Sequence, residues 1–359
     1  MNRLEAEIST GESSAIKGLL IILVIIGHSY ALPYFPHGMF DYFYSFHVSC
    51  FFILSFSYPA KQLSIERVKN NVVRLLVPYL LLYALFSAIV VFLNTNNIYV
   101  KQALPYGDYS FIGFLWTFIT GGFLPLQVYT GMQYLWFMPA MFSFMVIKDY
   151  FKTQASSRLK AFILCIGAFC YFFAYVYEYY PPYPNRYVYF IQWMSPLSIL
   201  HSLGMVFISV LTMFCLRIRL KYIMGGAFVL CTIWFWIGIY AKDVPFEDII
   251  RICRLFMPLP AFCFFYSVKG VLARIKLLRA FGNKSMIIYL VQSPICVLIC
   301  SIQNKLSIIS SPIGTLVSLL IIISASYLVT MAIMRFPTTK FLFASRTYIE
   351  FENYFFHKS

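Results

Sequence analysis

Long apolar runs separated by short polar loops dominate the chain. Ten of these runs approach the roughly 20 apolar residues that a helix needs to cross a bilayer. They lie at about 16–34, 41–59, 73–93, 133–150, 160–178, 193–215, 222–240, 249–268, 284–302 and 314–335. A shorter apolar stretch, 109–123, ends near a glycine pair and is typical of an interfacial or re-entrant helix. The pattern predicts an all-α polytopic membrane protein with about ten transmembrane helices and one short interfacial or re-entrant helix.

Composition leads to the same class of protein. Of the 359 residues, 61% are hydrophobic and only 11% are charged, against about 25% charged in an average soluble domain. A soluble protein of this size has too little interior to bury so much apolar surface. We therefore expect one membrane domain, residues 1–340, followed by a short cytoplasmic tail, residues 341–359. The nine cysteines lie in or beside apolar runs without metal-site spacing, so we expect no metal.

The few charged residues are strongly biased toward cations. The chain carries 28 Lys and Arg against 13 Asp and Glu, a formal charge of +15. When the ten runs alternate across the membrane from a cytoplasmic N-terminus, 22 of the 28 basic residues fall on the cytoplasmic side. The charge therefore predicts topology rather than a nucleic-acid partner, and it places both termini in the cytoplasm. If the 109–123 stretch crosses the bilayer, every later side assignment inverts.

Three histidines lie within the apolar runs. Counting residues along each predicted span places His28, His47 and His201 in one layer of the outer half of the membrane. Arg251 and Arg254 enter from the same side on one helical face. A histidine here is suited to act as a general base toward a hydroxyl, and arginines bind phosphate or carboxylate. The alternative is structural: interhelical hydrogen bonds for the histidines and nearby acidic partners for the arginines.

The cytoplasmic side offers a second candidate site. Arg67, Lys69 and Arg74 precede the third predicted span, and further basic loops face the same compartment. They fit a polyphosphorylated donor, although topology and contact with anionic membrane lipids explain many such cations. Phosphate-binding glycine loops, nucleophile elbows and zinc motifs are missing from the sequence. The absence of these motifs from the sequence argues against an ATP-driven pump and against a zinc enzyme.

Five sequence elements, in order along the chain, carry a resemblance to a known family. They are Lys17-Gly18-LLIILVIIG-His28, SFHVSCFFILSF (45–56), Arg74-LLVPYL, Tyr134-LWFMPA and FGNKSMIIYLVQSP (281–294). Together they resemble the membrane acyltransferase-3 family, which O-acylates bacterial surface polysaccharides and related molecules. The chain resembles the standalone form of the family, without an extra soluble domain.

Three positions depart from the family pattern. Lys17 stands where the family usually has Arg, and Phe56 replaces a glycine that usually follows the Leu-Ser pair. Gln292 replaces a frequent histidine in a late span, so no proton transfer can be assigned there. His28, which matches the catalytic histidine of the opening motif, is retained.

The resemblance implies a membrane O-acyltransferase that moves an acetyl group from cytoplasmic acetyl-CoA to a hydroxyl of a surface polysaccharide or lipid-linked glycan. The expected location is the bacterial inner membrane. The expected catalytic residues are His28 and His47. The expected acyl-CoA ligands are Lys17, Arg67, Lys69 and Arg74. The expected acceptor-binding residues are Trp136, His201, Arg251 and Arg254. His28 acts either as a base or as a transient acyl carrier. The alternative function is a glycan transporter, a flippase or a subunit of an export complex, because intramembrane polar residues suit these too.

Overall fold

The computed structural model describes residues 7–29, 32, 34–36, 38–85, 119, 133–177, 196–240, 255–306, 311–345 and 347–355. Across these residues the regular structure is helical and contains no strand, which confirms the predicted fold class. The chain divides into two compact units. The first contains residues 1–59 and 208–336, and the second contains residues 60–207 and 337–359.

The helices alternate between the two units along the chain. The first unit begins with α1 (Thr10–His28), α2 (Met39–Tyr44) and α3 (His47–Ser57). The second contains α4 (Ile65–Asn71), α5 (Phe137–Thr153) and α6 (Ser157–Tyr177), and the boundary falls within α7 (Ile199–Arg217). The first unit resumes with α8 (Lys221–Tyr240), α9 (Pro258–Ser267), α10 (Lys269–Arg274), α11 (Lys276–Asn283), α12 (Ser285–Leu306) and α13 (Pro312–Arg335). The last two helices, α14 (Pro337–Ala344) and α15 (Tyr348–Phe355), belong to the second unit.

Five helical stretches among the described residues are long and apolar enough to cross a membrane. They are Thr10–His28, Met39–Ser57, Ile65–Leu85, Pro196–Arg217 and Pro312–Arg335. The helices α11 and α12 pass the same test as a pair bent by 85°, which raises the number to six. The total of ten spans and the cytoplasmic location of the termini stay predictions. The 109–123 stretch lies outside the described residues except for position 119.

The first helix begins at a strong cap and ends earlier than predicted. Ser9 Oγ accepts the Glu12 N–H at 3.2 Å, and Glu12 Oε2 accepts the Ser9 N–H at 2.8 Å, which is a complete capping box. The helix ends at His28 rather than at residue 34. Pro33 and Pro36 follow closely, and proline disfavours helix at and just before its own position. His28 therefore lies at the end of α1 instead of inside it.

The second predicted span, 41–59, is interrupted between α2 and α3. The Ser45 hydroxyl donates to the Tyr42 carbonyl at 2.6 Å, and the Phe46 N–H donates to the Phe43 carbonyl at 3.2 Å. Phe46 has a φ of −143°, so the backbone leaves the helical path there. The interruption alters hydrogen bonding immediately before His47.

The helix after α3 begins eight residues before the predicted start of its span. Ser64 Oγ accepts the Arg67 N–H at 3.1 Å and caps α4. The helix continues through a π-helical turn, Val72–Leu76, and on to Leu85. Arg67 and Lys69, expected in a loop, are therefore helical. A π-helical turn shifts the register of the side chains that follow and is frequent at functional sites.

A close helix crossing in the first unit joins α1 to α11. A Cβ added to Gly18 would collide with the Leu278 carbonyl, and one added to Gly282 would collide with the Ser14 carbonyl. Ser14 Oγ also donates to Asn283 Oδ1 at 2.7 Å. Small residues permit this backbone approach, as in other packed membrane helices.

Aromatic packing joins α2 and α3 to α8 and α9. The Tyr42 hydroxyl lies 2.8 Å from Thr232 Oγ1. The Phe46 ring, which is 2% exposed, packs 5.4 Å from the Phe228 ring and 6.0 Å from the Phe265 ring. These contacts fix the α2–α3 segment within its unit.

The second unit holds a turn with left-handed backbone immediately before α7. Leu197 and Ser198 have φ values of 51° and 53°, a conformation that is costly for side chains other than glycine. Ser143 of α5 donates to the Leu197 carbonyl at 2.8 Å, and Ser202 donates to the Ala140 carbonyl at 2.8 Å. These hydrogen bonds join α5 to the start of α7.

The α1–α11 crossing predicts that alanine substitutions at two different glycines change the stability of the protein by different amounts. Gly18→Ala should lower the free energy of unfolding by about 1–3 kcal/mol, because the added methyl group meets backbone atoms that must move. The measurement is thermal unfolding of the purified protein in detergent. Gly226→Ala on α8 is the control, since a Cβ there meets nothing within 4 Å. Equal stability of the two variants would contradict the close crossing.

Candidate functional site

His28 lies against a side chain from the far end of the sequence. Its Nδ1 atom is 2.9 Å from Oε1 and 2.6 Å from Nε2 of Gln292 on α12. Gln292 is fully buried, whereas the His28 ring is half-buried. The amide of Gln292 therefore engages the Nδ1 side of the His28 ring.

His47 is held in one tautomer by the interruption before α3. Its Nδ1 atom bonds to the Phe43 carbonyl, and a carbonyl oxygen can only accept, so Nδ1 carries the proton of the neutral ring. His47 is fully buried, and its Nε2 has no hydrogen-bond partner among the described residues. Its ring lies 4.8 Å from the Tyr44 ring, which lies 5.8 Å from the His28 ring. The structure thus brings the two predicted catalytic histidines near the same ring, Tyr44.

Lys17 shares a helix and a face with His28. Eleven residues separate them, which corresponds to about 16 Å along the axis and to a rotation only about 20° past three full turns. The Lys17 ammonium lies 5.2 Å from the centre of the Tyr58 ring at the end of α3. Because Lys17 is next to Tyr58 and His28 is next to Tyr44, α1 and α3 run antiparallel.

One of the cations predicted to bind acyl-CoA, Arg67, contacts a buried carboxylate in the second unit. Arg67 Nε donates to Asp149 Oδ2 at 2.9 Å, and Lys148 Nζ lies 3.5 Å from Asp149 Oδ1. Asp149 is fully buried, and Lys148 is 2% exposed. Arg74 is exposed and is close enough to Lys148 to interact with it electrostatically. Three cations against one carboxylate leave this site positively charged.

Lys69 has an aromatic partner that the sequence did not predict. Its ammonium lies 4.9 Å from the centre of the Tyr348 ring on α15, a cation–π distance. The Tyr348 N–H donates to Asn70 Oδ1 at 2.6 Å. The tail segment that contains α15, expected only as an appendage, therefore contacts the helix that carries Arg67.

Two residues expected to bind the acceptor contact each other. The Trp136 and His201 rings lie 5.1 Å apart and nearly perpendicular, at the starts of α5 and α7 in the second unit. Both side chains are half-buried. Arg251 and Arg254 lie outside the described residues. Among the described residues, no cluster of three or more His, Cys, Asp or Glu side chains could hold a metal ion.

Sequence reasoning missed Lys148, Asp149 and Tyr348, and it left Gln292 without a role. The Lys148-Asp149 pair interrupts an apolar run, and a charge pair inside such a run is a signal for a buried ion pair. Tyr348 gives no comparable signal, because aromatic residues are abundant throughout the chain.

One family model, described as an acyltransferase domain, matches residues 12–335. No curated protein and no solved structure matches the chain. The matched range contains both histidines beside Tyr44 and the cations around Asp149. Because the match spans nearly the whole chain and agrees with its apolar helices, the protein belongs to the acyltransferase-3 family of membrane acyltransferases.

Proposed function

We propose that the protein transfers an acetyl group from cytoplasmic acetyl-CoA to a hydroxyl of an extracytoplasmic or lipid-linked polysaccharide in a bacterial inner membrane. The observation that carries the proposal is the half-buried His28 ring, fixed at Nδ1 by Gln292, in a chain of an acyltransferase family. The family assignment also favours an enzyme over a transporter or an export subunit.

The proposed chemistry uses His28 as the general base. Nε2 removes the proton of the acceptor hydroxyl while its oxygen attacks the thioester carbonyl carbon. The new C–O bond forms, the C–S bond breaks, and the CoA thiolate takes the proton back from the imidazolium. His47, whose ring also lies near Tyr44 and whose Nε2 atom is buried, is assigned to the same proton-transfer region.

We assign the binding of the acetyl-CoA donor to basic side chains. Lys17 lies about 16 Å before His28 on the same face of α1, a length comparable to that of an extended pantetheine arm. The group around Asp149 supplies a second cationic site, in which Arg67 uses Nε for Asp149 and keeps its terminal N–H groups for a phosphate. We assign Arg67, Lys69 and Arg74 of the second unit to the CoA phosphates, beside the buried Lys148–Asp149 pair.

The acceptor is assigned to the Trp136–His201 pair, together with Arg251 and Arg254. An indole ring offers an apolar face on which a sugar ring packs, and an imidazole hydrogen-bonds a hydroxyl. The two contacting rings support this assignment.

His28→Ala should remove transfer of radiolabel from [14C]acetyl-CoA to glycan extracted from the source cells. Loss of a general base costs about 100- to 10,000-fold in rate. The measurement uses purified protein in proteoliposomes, with membrane insertion checked in parallel. His357→Ala is the matched control, because residue 357 lies beyond the matched range 12–335. Wild-type transfer rates in a correctly inserted His28→Ala protein would refute the assignment.

Arg67→Ala should raise the KM for acetyl-CoA by about tenfold or more, the loss expected for a charge-assisted hydrogen bond. With acetyl-pantetheine, which lacks the nucleotide phosphates, the variant and the wild type should have equal KM values. Lys61→Ala is the matched control, since Lys61 is an exposed cation in the loop before α4. A KM that rises equally for both donors, or that rises equally in Lys61→Ala, would show that Arg67 does not bind the phosphates.

A further inference from the structure

The His28 ring contacts the Gln292 side-chain amide, which carries both a hydrogen-bond donor and a hydrogen-bond acceptor. Both ends of the Gln292 amide lie within hydrogen-bond distance of one ring nitrogen, Oε1 at 2.9 Å and Nε2 at 2.6 Å from Nδ1. The carbonyl end accepts a proton from Nδ1–H, whereas the amino end donates to an Nδ1 lone pair. An ionised carboxylate in the same place could only accept.

A second set of contacts holds the amide in place. The Cys296 thiol, one turn further along α12, donates to Gln292 Oε1 at 3.8 Å. Cys296 Sγ also lies 3.8 Å from Ser29 Oγ, and Ser29 in turn donates to the Ile25 carbonyl at 2.8 Å. Ser29, Cys296 and Gln292 are all buried. These contacts link α12 to the end of α1 at the residue directly after His28.

We propose that Gln292 is a positioning residue for His28, which holds the imidazole through Nδ1 in each proton state that the reaction requires. This inference rests on the proposed role of His28. When the ring is a base, Oε1 accepts from Nδ1–H and the lone pair is at Nε2. After Nε2 takes the hydroxyl proton, Nδ1–H still donates to Oε1, so the imidazolium keeps its partner. In the other neutral tautomer, the amide N–H donates to Nδ1 instead.

Burial explains why an amide suits this position. Gln292 is fully buried, and a carboxylate there would bear the cost of desolvating a charge whenever His28 is neutral. The amide has no net charge in either state. Gln292 therefore orients the ring without requiring a permanent ion pair within the membrane.

The test compares two substitutions of similar size. Gln292→Met removes both hydrogen-bonding ends, and Gln292→Glu keeps an oxygen that accepts from Nδ1–H. We expect Gln292→Met to lower kcat for [14C]acetyl transfer by about 10- to 100-fold, the range for a hydrogen bond to a group that becomes charged. The KM for acetyl-CoA should stay unchanged. Gln292→Glu should recover a substantial part of kcat.

Thr330→Val controls for the loss of a buried hydrogen bond elsewhere in the first unit. The Thr330 hydroxyl donates to the Ser326 carbonyl at 2.8 Å within α13, and its loss should leave kcat unchanged. Thermal unfolding in detergent identifies any variant that fails to fold. A folded Gln292→Met protein with wild-type kcat, or equal kcat values in the Met and Glu variants, would overturn the proposal.

A second readout does not depend on acyl transfer. Diethyl pyrocarbonate modifies an unprotonated imidazole nitrogen, and mass spectrometry of the peptide measures its rate at His28. The rate should fall severalfold in Gln292→Met and recover in Gln292→Glu, whereas equal rates in all three proteins would refute positioning. If the wild type transfers no acetyl group but shows this pattern, the proposed function fails and the role of Gln292 stands.

Discussion

The backbone contact between α1 and α11 is the constraint on which the candidate site in the first unit depends. Gly18 and Gly282 leave no space for a side chain at this crossing. Their contacts therefore fix the position of one helix along the other. The chain then bends by 85° into α12, which brings Gln292 beside His28 at the end of α1. A shift of either helix would separate a pair of residues that lie 264 positions apart in the sequence.

The candidate site residues are polar side chains that lie among apolar helices, so each of them needs a hydrogen-bond or charge partner. His28 and His47 each have the Nδ1 atom in contact with a neutral partner, the Gln292 amide for His28 and the Phe43 carbonyl for His47. Neutral partners avoid the cost of a buried charge. In the second unit the buried Asp149 is charged, and it pairs with Arg67 and Lys148. The first unit thus holds neutral polar contacts at its two histidines, whereas the second unit holds a buried ion pair.

Sequence reasoning reached the helical class and the family, and it named His28 and His47, whose rings both lie near Tyr44. These depend on local apolar periodicity and on short motifs. It missed the interruption at Ser45 and Phe46, because residues 41–58 contain no glycine or proline to signal a break. It also missed the partners of Gln292 and Lys69, since those contacts join distant segments and leave no trace in local spacing.

The central claim is that this protein acetylates a glycan by a reaction that requires His28. Mass spectrometry of surface glycans from cells that lack the gene, complemented with either the wild type or His28→Ala, tests it most directly. We expect an acetyl-sized mass increment that returns with the wild-type gene and stays absent with His28→Ala. Glycans of the same mass in all strains, or an increment restored by the variant, would contradict it.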